Sequence, residues 1–260
     1  MIRLVAIAVL ALALPCAALA SAVVESFHGD VRVGGAQVQQ GQRIFPGATV
    51  ATGEGAQLVM RFDDGSRIVL HQRTDFRVVD FGYVASDPAQ DRSIFDLLRG
   101  ALRVVTGAVA RRSRDTFALR APQATIGIRG TDFMVAVVNP AYVQVISGAV
   151  GVANAGGTVV LGAGAAAQVA SSAALAVQIA PSALPPAASG AFGSLSAVKV
   201  SAAPGLGGAS AGVQGGAAAT AGAATFPAPM LLTIGAAAAA AAAASSAGDS
   251  TVTHDPSQVK

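Results

Sequence analysis

The chain has 260 residues, of which 53% are hydrophobic and 12% charged, and its formal net charge is +3. Lys199 is the only charged residue between Asp132 and Asp249, whereas arginines alternate with acidic residues before Asp132. This distribution is typical of a solvated surface and argues against a groove that follows the phosphates of a nucleic acid.

The N-terminus has the pattern of a secretory signal. Met1-Ile2-Arg3 gives a positive start, residues 4–14 are apolar, and Ala18-Leu19-Ala20 offers a small-residue cleavage site. We therefore predict a signal peptide over 1–20 and export of the mature chain. An uncleaved anchor is the alternative, although the run is shorter than the roughly 20 residues that span a bilayer. The single Cys16 lies within this signal, which leaves the mature chain without a disulfide or a thiol nucleophile.

Residues 23–179 consist of short apolar stretches separated by glycines, which predicts strands. In Asp75-Phe76-Arg77-Val78 apolar and charged residues alternate, as they do in a half-buried strand. Asp64-Gly65 separates two apolar stretches at 58–62 and 67–70, a strong hairpin signal. The pattern predicts an all-β sandwich, barrel or solenoid. The one helical candidate is 93–99, ending at Gly100, and a strand there is nearly as well supported.

Beyond residue 179 the composition changes to alanine, glycine, serine and proline. Such a segment buries too little apolar surface to offset its ordering entropy, so we predict a flexible linker over 181–225. An alanine-rich apolar helix is predicted over 226–248, followed by a polar tail over 249–260. The helix is equally consistent with membrane association, with self-association and with a solvent-exposed low-complexity tract.

Four stretches of the β region, taken in order, resemble the FecR domain family. They are residues 41–53, 56–68, 97–103 and 117–133, which contain Gly47-Ala48-Thr49-Val50-Ala51-Thr52-Gly53, Asp63-Asp64-Gly65-Ser66, Leu97-Leu98-Arg99-Gly100-Ala101, and Ala121-Pro122-Gln123-Ala124 with Ile128-Arg129-Gly130-Thr131-Asp132-Phe133. The fourth stretch is the most specific. Together they carry the resemblance over about 31–138.

The resemblance implies a periplasmic module of solenoid-like β structure that takes part in protein contacts. In the regulators that named the family, such a domain receives a signal from an outer-membrane transporter and governs a sigma factor. Those regulators carry a cytoplasmic segment and a membrane span before the domain, whereas a signal peptide precedes it here. We therefore expect a stand-alone exported version. The motif residues, which we interpret as structural, are Asp64, Gly65, Ser66, Gly100, Pro122, Arg129, Gly130, Thr131 and Phe133.

Two roles are predicted for the Arg-Gly-Thr motif from its chemistry. Gly130 relieves a tight turn, and the Thr131 hydroxyl caps that turn. Arg129 donates to turn carbonyls, with a partner carboxylate as the alternative. The dense cluster Arg111-Arg112-Ser113-Arg114 is interpreted as a solvated loop tip, with a patch for an anionic partner as the alternative.

No pattern in the sequence predicts a catalytic, cofactor or metal site. His28, His71 and His254 are too scattered for a local metal site, and Asp63-Asp64-Gly65-Ser66 lacks the further ligands of a calcium loop. The sequence contains no Gly-x-x-x-x-Gly-Lys phosphate loop. A hydrolase that uses Asp63, Asp64 and His71 is kept as a minor alternative to a protein that is not an enzyme.

The sequence therefore predicts a non-catalytic exported protein of the periplasm or cell envelope. Its partner would be an envelope protein or another envelope component, with a role in signal sensing or regulation. The alternative is a surface or matrix protein that is anchored or self-associates through 226–248.

Overall fold

The computed structural model describes residues 20–200, apart from the side chains of Arg114 and Arg129, and these residues form an all-β fold. The predicted fold class is confirmed. The signal peptide, the alanine-rich helix, the polar tail, Cys16 and His254 lie outside the described residues. The fifteen strands are β1 (Ala22–His28), β2 (Val31–Val33), β3 (Ala36–Gln37), β4 (Arg43–Ile44), β5 (Thr49–Thr52), β6 (Gln57–Phe62), β7 (Arg67–Leu70), β8 (Asp75–Gly82), β9 (Arg92–Val105), β10 (Phe117–Arg120), β11 (Thr125–Val137), β12 (Ala141–Asn154), β13 (Gly157–Gly162), β14 (Ala166–Val169) and β15 (Val177–Ile179).

All fifteen strands belong to one sheet, and three long strands organise it. The first half of β9 pairs with β8 and β10, while its second half pairs with β7 and β11. β11 pairs along its length with β12, and β12 pairs in turn with β13 and β14. Each long strand therefore belongs to two neighbouring parts of the sheet.

The three long strands change their inward side at a glycine. Gly100, Gly130 and Gly148 all have positive φ, which glycine adopts without steric penalty. An extra residue in a strand reverses the alternation of inward and outward side chains. The main-core residues before and after the three glycines are Phe95, Leu97 and then Leu102, Val104 in β9; Ile126, Ile128 and then Phe133, Val135 in β11; and Val143, Val145 and then Val150, Val152 in β12.

Aromatic rings run through the main core. Phe95 lies 5.2 Å from Phe62, 5.6 Å from Phe76 and 5.8 Å from Phe117, measured between ring centroids. Phe117 continues the chain to Phe133 at 6.4 Å. These edge-to-face and stacked contacts join the early and late strands into one core.

Helix α1 (Ala108–Arg112) follows β9, and helix α2 (Pro186–Ala197) lies within the segment predicted as a linker. Over these residues the linker prediction is wrong. The buried residues of α2 are Ala188, Ala191, Phe192 and Leu195, whose spacing forms one stripe of a helix. This stripe packs on an outer face of the sheet that includes Val69, Ala136 and Tyr142.

The helical candidate at 93–99 is part of strand β9. Ser93, Phe95 and Leu97 are buried while the residues between them are less so, which is the two-residue period of a strand. Among residues 20–200, no helix is both long and apolar enough to cross a membrane.

Candidate functional site

The Asp64-Gly65-Ser66 motif forms the turn between β6 and β7 and anchors helix α1. The Asp64 carboxylate accepts bonds from the Ser66 amide at 2.9 Å and from the Val109 amide at 3.2 Å. The Asp64 carbonyl accepts from the Ala108 amide at 2.9 Å. A Cβ at Gly107 would lie 2.4 Å from the Ser66 nitrogen, so the turn and the helix start touch through a glycine. The polar atoms of this motif are thus used in local hydrogen bonds.

Gly100 lies against Thr74, which is fully buried. A Cβ at Gly100 would lie 2.3 Å from the Thr74 hydroxyl and 2.5 Å from its Cα. That hydroxyl accepts a bond from the Ala101 amide and donates to the Ala101 carbonyl, both at 3.1 Å. The third motif therefore marks the place where β9 bends around a buried threonine.

The Gly130-Thr131 motif forms a bulge that a different threonine holds. Thr106 donates its hydroxyl to the Thr131 carbonyl at 3.0 Å and accepts from the Thr131 amide at 2.8 Å. Within the part of the chain that the structure describes, the buried Thr131 hydroxyl has no hydrogen-bond partner. The predicted cap by Thr131 is wrong, because the Thr106 hydroxyl occupies that position.

The remaining motif residues are divided between surface and core. Pro122 is exposed in the turn between β10 and β11, where Ala121 and Ala124 exchange backbone hydrogen bonds. Phe133 is fully buried at the end of the aromatic chain. The backbone of Arg129 pairs with Ala149 in β12. The predicted bonds of the Arg129 side chain remain a prediction, because that side chain is not described.

Within the arginine cluster, Arg112 is not simply solvated. Its guanidinium makes two bonds to the Asp91 carboxylate, at 2.6 and 2.7 Å, and donates to the carbonyls of Val84 and Ala85. It also stacks over the Tyr83 ring at 4.9 Å. The hydrogen bond from Arg112 lowers the pKa of Asp91, and Ser113 contributes to the same effect. Arg112 is exposed, as the solvated interpretation requires, but it ends helix α1 rather than lying in a loop tip, and it fastens α1 to the loop after β8.

Arg103 on β9 joins the sheet to helix α2. Its Nε and Nη2 donate to the Asp132 carboxylate at 2.9 and 2.6 Å, and its Nη1 donates to the Leu195 and Val198 carbonyls, each at 3.3 Å. The Asp132 hydrogen bond raises the pKa of Arg103. Carbonyls at the end of a helix lack partners within it, so Arg103 completes the C-terminus of α2.

A groove of about 510 Å³ lies between α2 and the sheet beside this ion pair. Met134 and Ile146 line its sheet side, while Leu184 and Phe192 line its helix side. Gln144 and two serines supply neutral polar groups. The groove is therefore mainly apolar, and its charged residue Arg103 is already neutralised by Asp132.

The residues considered for hydrolysis have other surroundings. Asp63 accepts hydrogen bonds from the Ser21 amide at 2.7 Å and from its hydroxyl at 3.2 Å. Asp64 holds the start of α1, and partial burial lowers the pKa of His71. In residues 20–200 no three His, Cys, Asp or Glu side chains form a group that could hold a metal.

Sequence reasoning missed the groove, Arg103, Asp132 and Phe192. The spacing of Ala188, Ala191, Phe192 and Leu195 is that of an amphipathic helix, and this signal could have predicted α2 and with it the groove. Arg103 and Asp132 are 29 positions apart and meet only because β9 and β11 are neighbours in the sheet.

A family model described as FecR protein matches residues 48–151. The predicted resemblance is confirmed over that range, which begins and ends later than the predicted 31–138. No curated protein matches the chain. Two crystal structures of a candidate anti-sigma factor from Parabacteroides distasonis ATCC 8503 are similar at 16% sequence identity and a TM-score of 0.41. Each comparison covers 51% of this chain and 59% of that protein, so the chain spans little more than half of its length.

Proposed function

We propose that this chain, which carries a FecR domain over residues 48–151, is an exported, non-catalytic protein that binds a partner protein in signal regulation. The proposed location is the bacterial periplasm or cell envelope. The signal pattern of residues 1–20 supports export, and the FecR match supports a regulatory role.

The groove beside α2 is the observation that carries this proposal. Its lining is mainly apolar, and Arg103 already donates to Asp132 and to two carbonyls at the end of α2. A charged ligand would therefore find no free counter-charge on Arg103, whereas an apolar side chain would be desolvated favourably. The partner that fits is a protein segment with an apolar anchor whose neighbouring amides bond to Gln144 and the groove serines.

Site-specific photo-crosslinking in the producing bacterium tests the proposal. A crosslinker replaces Ile146, which is 40% exposed at the groove, or Val84, which is 36% exposed near Arg112 and serves as the control. We expect a discrete adduct from position 146 whose partner is identified by mass spectrometry. An equal adduct from position 84 would contradict the proposed site.

The identified partner is then purified and its affinity for the full chain is measured. Ile146→Asp places a charge in the apolar groove, so we expect at least about tenfold weaker binding. Val84→Asp should leave the affinity within about twofold. Unchanged binding by Ile146→Asp would refute the groove. N-terminal sequencing of the protein from periplasmic extracts tests export separately, with a start near Ser21 expected.

A further inference from the structure

The longest open edge of the described sheet belongs to β13. Within residues 20–200, strands β3, β4, β13 and β15 each pair with one neighbour only. The other three contain two or three residues, whereas β13 contains six. Alternate residues of such a strand direct their amide and carbonyl groups away from the sheet, where another strand can pair with them.

The β13 edge lacks the features that usually prevent strand pairing. Folded proteins protect open edges with charged side chains, prolines or short strands. The sequence of β13 is Gly157-Thr158-Val159-Val160-Leu161-Gly162, which contains neither a charge nor a proline. The edge strand β4, by contrast, is two residues long and contains an arginine.

Exposed apolar side chains lie on and beside this edge. Val160 is 42% exposed on β13, and Leu175, which is 48% exposed, lies next to Gly157. Both residues belong to the region between Asp132 and Lys199, which contains no charged residue. A charged partner strand would therefore find no counter-charge on β13, whereas an uncharged strand of the same length would pair without loss.

We propose that β13 pairs antiparallel with β13 of a second copy of this chain, forming a two-fold symmetric dimer through one continuous sheet. A register centred on Val160 places Val160 opposite its own counterpart and Val159 opposite Leu161 of the second copy. Apolar pairs of this kind stabilise neighbouring strands. A symmetric contact uses the same surface on both copies, and β13 has that self-complementarity. One strand pair buries little area, so the dimer is weak and dissociates on dilution.

Sedimentation velocity of the full chain over a concentration series tests this inference. The wild type shifts from monomer to dimer as concentration rises. Val160→Lys places two like charges at the symmetry axis and weakens dimerisation at least about tenfold. Leu98→Lys is the matched control, because Leu98 is 53% exposed on β9 in the charged region and lies outside the proposed contact. This control dimerises like the wild type.

A charge swap tests the register. Val160→Glu alone also weakens the dimer, and an equimolar mixture with Val160→Lys restores it, because opposite charges then face each other at the axis. Circular dichroism checks that each variant keeps the β fold. A wild type that stays monomeric at its highest soluble concentration overturns the inference, as does an undiminished dimer of Val160→Lys or a mixture that regains no dimer. These outcomes are independent of partner binding at the groove.

Discussion

The residues up to Asp132 and those after it contribute strands to one sheet, but their outer surfaces differ in charge. In the described residues, every ion pair joins side chains between Glu25 and Asp132, as Arg99 with Asp75 and Arg120 with Asp96 illustrate. After Asp132 the only charged residue in that part of the chain is Lys199. The first surface therefore exposes paired charges to water, whereas the second exposes neutral polar and apolar groups.

The cover that the uncharged region receives is helix α2. Met134, Ala136 and Tyr142 lie on the outer side of the sheet and are buried beneath Phe192 and Leu195. Val160 and Val177, which α2 does not cover, remain exposed. The contrast indicates that ion pairs occupy the surface of the charged part, while the uncharged part supplies most of the groove and the open edge.

The two least exposed ion pairs lie where helices attach to the sheet. Arg112 with Asp91 holds α1, and Arg103 with Asp132 holds α2. Water screens exposed pairs, so the six others do little for the fold. Ion pairing therefore matters most in this protein at the two helix junctions.

The largest loss of stability should come from substituting a glycine that lies against another part of the backbone. Gly148, in the uncharged region, is such a glycine. Gly148 has φ +82°, and a Cβ there would lie 2.3 Å from the Gly130 carbonyl oxygen. We expect Gly148→Ala to lower the free energy of unfolding by about 3 kcal/mol or more, through strain and overlap together. Gly164→Ala is the control, because Gly164 has φ +80° with no atom within 4 Å of its added Cβ.

Chemical denaturation measures both variants. Gly164→Ala should lower the free energy of unfolding only by the cost of alanine at positive φ, about 1–2 kcal/mol. Equal losses for the two variants would show that the contact between Gly148 and the Gly130-Thr131 bulge is unimportant.

Removing the ion pair at the α2 junction should give the next largest loss of stability. Arg103 and Asp132 have side chains that are 11% and 16% exposed, so Arg103→Gln leaves a carboxylate poorly solvated and two helix carbonyls without their donor. We expect a loss of about 2–3 kcal/mol. Hydrogen exchange should also accelerate across 186–197.

Arg99→Gln is the matched control in the charged region, since Arg99 is 68% exposed in its pair with Asp75. That variant should lose less than about 1 kcal/mol. If the two arginine variants lost equal stability, the distinction between junction pairs and surface pairs would be wrong.

Much of the fold follows from sequence because its signals are local. The hairpin at Asp64-Gly65 and the family motifs needed only neighbouring residues, and the two-residue alternation at Asp75-Phe76-Arg77-Val78 lies in β8. The reversals at Gly100 and Gly148 were not predicted, although the apolar residues change phase on either side of each glycine. Sequence pattern does not give the identity of the residue that each glycine approaches.

The groove escaped prediction for a physical reason. Helix α2 is built from small residues, so its composition resembles a linker, and its stability comes from packing on Met134 and Tyr142 rather than from intrinsic preference. The role of Thr106 was equally hidden. Its hydroxyl bonds to a residue 25 positions away, and only the pairing of β9 with β11 brings the two together.

Acidification should weaken the Arg112–Asp91 junction at α1. The loss of stability should be smaller than that caused by Arg103→Gln. The pKa of Asp91 is lowered in the folded state by its hydrogen bond from Arg112. Its contribution to stability is therefore present above the unfolded value of about 3.9 and is lost as the pH falls through the lower folded value. Thermal unfolding between pH 7 and 2 measures this.

Asp91→Asn should flatten the acid limb of that profile, and Arg112→Lys, which keeps the charge but loses the planar fork, should flatten it only in part. Identical acid limbs in all three proteins would exclude Asp91 as the source.

The smallest expected change in stability is the pH dependence that arises from His71, just beyond the end of β7. Partial burial lowers the pKa of His71, so the unfolded chain takes up the proton first as the pH falls. Stability from the neutral imidazole is then present above the unfolded value of about 6.5 and decreases below it, by less than the limit of about 1.4 kcal/mol per pH unit for one proton. His71→Gln should remove this slope between pH 7 and 5, as measured by urea unfolding. A wild-type slope that persists in the variant would assign it to groups other than His71, and the ion-paired region would then contain a further acid-sensitive contact.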